Sequence, residues 1–213
     1  MYLVYKFSDI TWYREPYMKE LLDKIKVKKT FFFHNVTNSN ESIKSNKFEI
    51  DFLWVNRLIN ERYSNWFVDA IQAPQLAKTN NLLIGIQNEN NNTQVEYAMK
   101  NKPPNLELKS YSNPIEYYKK AKYFVLPTKI VFANNSLLEA MSFGVVPIVS
   151  KTKSTDLIVR DGINGFTFNT YEEFLSKLIE ANNLDDEKYI YLSKKKKKTI
   201  QEDFSIDYFK KNI

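Results

Sequence analysis

The chain has 213 residues, 43% hydrophobic and 26% charged, enough apolar content for one sizeable core and too much for a disordered polymer. It has no cysteine and a single histidine, His34, which excludes disulfides, thiolate metal sites and a His-rich metal centre. The net charge of +6 is mildly basic, and no stretch reaches the roughly 18 apolar residues of a membrane span, so a cytoplasmic protein is expected.

In chain order, "YLVYKF" (2–7) is expected as a strand, 13–26 as a helix and "TFFFHNV" (30–36) as an aromatic strand. The polar stretch "TNSNESIKSNK" (37–47) has no periodicity and is taken as a linker. Residues 1–47 thus form a short β-α-β segment plus linker, and 48–213 one larger domain.

From residue 50 the pattern alternates. Strands are expected at 50–55, 81–87, 105–111, 123–128, 146–150 and 165–168, and helices at 64–77, 93–101, 113–121, 136–143, 155–160 and 171–182. The tail from 185 reads as further helix, and "NENNNTQ" (88–94) as a loop. This alternation predicts an α/β fold, a doubly wound parallel sheet with helices on both faces. Glycine is scarce, and three of the four (Gly144, Gly162, Gly165) fall close together, a region expected to make special backbone demands.

Ligands of such sheets bind beyond the carboxyl ends of the strands, where helix N-termini point. "NNSLLEAMSFGVVPIVS" (134–150) fits that place: Asn135 or Ser136 is expected to cap the helix. Glu139, one turn in, can accept hydroxyl hydrogen bonds from a ribose beside an anion held at the helix tip. The plainer alternative is an acid that merely favours the helix dipole. Arg57 and Arg62 follow the 50–55 strand and could clamp a diphosphate; they could equally be solvated loop arginines. The run Lys194–Lys198 reads either as a solvated helix face or as a contact for anionic lipid.

Five segments in order carry a family resemblance: "VNRLINERYSNWFVDAI", "YSNPIEYYKKAKYFVLPT", "NNSLLEAMSFGVVPIVS", "IVRDGINGFTF" and "IQEDFSIDYF". From about residue 51 onward the chain resembles the C-terminal, donor-binding domain of retaining GT-B-fold glycosyltransferases (glycosyltransferase family 4, glycosyl transferases group 1). The resemblance implies a Rossmann-like half that binds a UDP- or GDP-linked sugar and transfers the sugar, with retention and without metal or cofactor, to a glycan, lipid or protein acceptor. By it, Arg57 and Arg62 meet the diphosphate, Ser136 and the Leu137 amide, beside Asn135, meet the phosphates, and Glu139 holds the ribose.

Three departures qualify that expectation. Val131 stands where the family has the sugar-contacting Glu, so no catalytic residue is assigned. Asn56 and Tyr63 replace glycines, which would narrow the phosphate approach. The part preceding the linker is short, so either the chain is a fragment or a partner chain or homo-oligomer supplies the acceptor site. His34 falls in the crossover and not at the family's catalytic His, and reads as a buried or loop histidine. The competing expectation is a catalytically silent nucleotide-sugar-binding subunit. Peripheral membrane contact is expected through Lys194–Lys198, and no nucleic-acid partner.

Overall fold

The computed structural model describes residues 10–13, 16–32, 35, 37, 48–86, 92–129 and 135–211. The expected strand 2–7, the linker, apart from Thr37, and positions His34 and Val131 lie outside them.

The first unit is β1 (Thr11–Tyr13), α1 (Pro16–Lys24) and β2 (Thr30–Phe32). β1 and β2 pair in parallel, with Trp12 beside Phe31.

The second sheet is built from β3 (Ile50–Val55), β4 (Asn81–Ile86), β5 (Leu106–Ser110), β6 (Ala121–Leu126), β7 (Val146–Ser150) and β8 (Phe166–Phe168). All its pairings are parallel, in the order β5-β4-β3-β6-β7-β8. The order reverses between β3 and β6. Parallel strands covered on both faces read as near-continuous apolar runs, which β3, β4, β6 and β7 obey over most of their length while the edge strand β5 (LELKS) does not. Phe52 and Trp54 of β3 face one core with Phe67 and Phe174, while Leu53 and Val55 face the other with Leu137 and Ile200. The expected α/β fold is present.

The helices are α2 (Ser64–Ala70), α3 (Thr93–Asn101), α4 (Ile115–Tyr118), α5 (Asn135–Ser142), α6 (Tyr171–Asn182), α7 (Asp186–Asp203) and α8 (Ile206–Lys211). Several differ from expectation. The helix expected over 64–77 stops at Ala70 and resumes as a 3-10 turn, Pro74–Leu76, because proline cannot donate into a continuing helix. The helix expected over 155–160 is only a 3-10 turn, Thr155–Leu157. In α4, Pro114 caps the helix instead of opening it. The tail breaks at Phe204 and Ser205, where Thr37 bridges to Ser205 and donates to the Phe204 carbonyl at 2.9 Å.

The lysine run is not one solvated face. Lys196 is fully buried and its Nζ donates to the Gly144 carbonyl, with the Tyr189 ring 5.8 Å away. A helix repeats every 3.6 residues, so a run of five must turn at least one member inward. The expected lipid contact through all of Lys194–Lys198 therefore loses its central member.

Candidate functional site

The order reverses between β3 and β6, and the carboxyl ends of strands at such a reversal are the usual binding place of doubly wound sheets. The loop after β3 carries Asn56, Arg57 and Arg62, and the chain leaving β6 leads to α5 with Asn135, Ser136, Leu137 and Glu139. The loop is held in place by backbone: Lys129 N donates to the Glu61 carbonyl at 2.8 Å, and Thr128 Oγ1 to the same oxygen at 3.0 Å.

Side chains connect the two segments directly. Arg62 Nη1 donates to Asn56 Oδ1, and Asn56 Nδ2 donates to Ser136 Oγ at 3.1 Å. Asn56 therefore bridges the cationic loop and the helix tip. Tyr63 stacks on Trp66, with ring centroids 4.6 Å apart.

Arg62 is partly buried and its pKa is lowered, chiefly by that burial and then by the nearby Arg57 guanidinium, with Glu61 opposing. Neither arginine forms an ion pair among the described residues. Two like charges held together, one of them desolvated, form a site that gains from an anion between them.

Helix α5 begins at Asn135, so Asn135 and Ser136 lie in its first turn; the residue before them falls outside the described set. Neither is the cap that was expected. Asn135 Oδ1 accepts from Asn35 Nδ2, tying the crossover to the helix tip. Leu137 is fully buried as a residue, its side chain packed in the core with Leu53 and Val55. The far end closes through Gly144 (φ 90°), with Gly144 N to Met141 O at 3.1 Å and Val145 N to Ala140 O at 3.0 Å. That pair of bonds is a Schellman cap, and the left-handed residue it needs is cheapest as glycine.

Glu139 is the fifth residue of α5, and the first turn contains no acid. A helix dipole favours acids within that first turn only, so the plainer reading of Glu139 loses its support. The carboxylate is half-buried and forms no ion pair among the described residues. Burial raises its pKa, and the approach of the Tyr118 hydroxyl partly offsets this. That hydroxyl is itself buried and completes no well-formed hydrogen bond. The Tyr118–Glu139 contact is therefore electrostatic more than a closed bond, and the carboxylate keeps acceptor capacity.

Sequence reasoning missed Gly85. It lies at an irregularity of the β4–β5 pairing with φ 143°, and a Cβ there would stand 1.7 Å from the Asn56 carbonyl oxygen. The lone glycine inside "NLLIGIQ" was the available signal, because an isolated strand glycine marks a bulge or a close backbone approach. Among the described residues, no group of three or more His, Cys, Asp or Glu side chains could hold a metal, and no helix is long and apolar enough to cross a membrane.

Residues 35–199 match the family model described as "Glycosyl transferases group 1". No curated protein matches the chain. Among solved structures, HepE of Anabaena in complex with UDP-glucose superposes with a TM-score of 0.82 at 14% identity, covering 98% of this chain and 63% of that one. S. aureus TarM has a TM-score of 0.76 at 15% identity, covering 94% of this chain and 42% of its own. A structure described as the GtfA/B complex has a TM-score of 0.75 at 14% identity, covering 97% and 44%. At these identities the likeness shows the fold alone. The chain spans about half the length of the structures it resembles.

Proposed function

Because the chain belongs to the glycosyl transferases group 1 family, we propose that its six-stranded sheet is the donor half of a metal-independent, retaining hexosyltransferase. The donor is a sugar linked to UDP or GDP, and the acceptor is a glycan, lipid or protein bound by other polypeptide. The observation that carries this reading is the Arg62–Asn56–Ser136 bridge, which ties one guanidinium to the tip of α5, with Arg57 near enough to Arg62 to depress its pKa. The neighbours solved with UDP-glucose, and with UDP and GlcNAc, lend support from the same fold.

When the bond between the anomeric carbon and the diphosphate breaks, negative charge grows on the departing oxygen. Arg57 and Arg62 stabilise that charge, and the first-turn amides of α5 add their dipole. Glu139 accepts from the ribose hydroxyls and fixes the nucleotide while the sugar leaves. Position 131, where the resemblance expects a sugar-contacting Glu, is valine. That favours a second reading, a catalytically silent nucleotide-sugar-binding subunit paired with an active partner.

Calorimetric titration with UDP, GDP and their sugars, followed by a donor-hydrolysis assay, separates the readings. Binding with turnover supports the transferase, whereas binding with none in any candidate partner's presence supports the silent subunit. Nucleotide affinity that survives Arg57→Ala and Arg62→Ala unchanged ends both.

A further inference from the structure

We infer that the outer face of the β1–β2 sheet is a docking surface for an anionic lipid bilayer. The inference is independent of the donor site. Parallel strands normally have both faces covered, yet among the described residues one face here carries three large, exposed apolar side chains. Trp12 is 55% exposed, its ladder partner Phe31 44%, and Ile10, two positions before Trp12, 49%. The same hydrogen-bonded ladder continues to Lys29, whose carbonyl accepts from Thr11 N at 2.9 Å. The Lys29 ammonium stands 5.1 Å from the Phe31 ring centroid, so a cation lies directly on the apolar strip.

Among the described residues, the unpaired charge beside this strip is positive. Lys24, Lys26, Lys28 and Lys29 are all exposed and none forms an ion pair among the described residues. The acids of α1 are already engaged, Asp23 by Lys19 and Glu20 by Lys153. Lys26 also holds a left-handed backbone, φ 54°, where glycine would carry less strain. Trp and Phe suit the interfacial layer of a bilayer, and unneutralised lysines beside them suit its anionic headgroups. A protein partner would have to supply several unpaired acids over an aromatic strip; an anionic membrane supplies that charge everywhere.

This face also lies close to the donor site. β2 ends at Phe32, three residues before Asn35, whose side chain reaches Asn135 at the tip of α5. Three residues span at most about 11 Å.

The test is co-sedimentation of the full chain with phosphatidylcholine vesicles, with and without phosphatidylglycerol. The expected result is binding to the mixed vesicles only, weakened by salt, with a blue shift of tryptophan emission that Trp12→Phe removes. Lys28→Gln with Lys29→Gln should lower partitioning about 30-fold, and Trp12→Ala should lower it with the lysines intact. Replacing Lys194, Lys195 and Lys198 by Gln should leave it unchanged. Thermal unfolding and nucleotide titration of each variant show that the fold and the donor site are intact. Equal binding to both vesicle types, binding to neither, or indifference to the Lys28 and Lys29 changes overturns the inference. A concentration-dependent dimer abolished by Trp12→Ala, without vesicle binding, would make the face an interface between copies and also overturn it.

Discussion

Asn56 Nδ2 donates to Ser136 Oγ across 3.1 Å, although 80 positions separate the two residues in sequence. Asn56 also accepts from Arg62, so one amide sets both the guanidinium and the helix tip. Asn56→Ala removes both bonds without opening the core. UDP or GDP affinity should fall about 5- to 30-fold, the worth of one or two hydrogen bonds, one of them to a charge. Calorimetry reads the affinity, and urea unfolding should show little change in stability.

Gly85 should tolerate nothing larger. The 1.7 Å approach of a Cβ to the Asn56 carbonyl is far inside van der Waals contact, so backbone must move. Gly85→Ala is expected to cost about 3 kcal/mol or more in urea unfolding. It should also weaken nucleotide binding, because the carbonyl that must shift belongs to the bridging residue.

Glu139 should trade stability for binding. Its folded pKa is raised above 4.5, so the folded state holds the proton more tightly than the unfolded chain. Stability is therefore lost as pH rises from 4.5 through the folded value. Glu139→Gln should make the ligand-free protein more stable at neutral pH while sharply lowering nucleotide affinity. Tyr118→Phe removes the hydroxyl that offsets the shift, so the acid limb of the binding profile should move to higher pH. Titrations across the acid range test both variants.

Lys196 carries the opposite sign. Burial lowers its pKa well below 10.5, so the unfolded chain binds the extra proton between the folded value and 10.5. Across that window stability should rise with pH. In Lys196→Met the rise should disappear, which chemical unfolding at a series of alkaline pH values will show.

Much of the architecture was legible locally. β3, β7, α3 and α6 match their expected bounds or differ by a residue at most, because each has a clear period and a boundary residue. Thr170 and Asn92, whose side chains accept from the first-turn amides of α6 and α3, are such boundaries. The short pieces were less legible. Thr155–Leu157 has too few residues for periodicity to separate a helix from a single turn. The charges of Arg57, Arg62 and Glu139 were readable from the sequence, but the bond of Asn56 to Ser136 and the close backbone approach at Gly85 were not.

The sequence by itself determined the alternation of strand and helix, and with it the parallel sheet, since runs such as "FLWV" and "VPIVS" can satisfy their apolar side chains only between two layers of helices. The tertiary structure alone decided which polar groups meet. Asn56 with Ser136, Gly85 with the Asn56 carbonyl, and Lys196 with Gly144 are pairs distant in sequence. Hydrophobic burial follows a local period; a hydrogen bond depends on ångström-scale placement that only the packed sheet supplies.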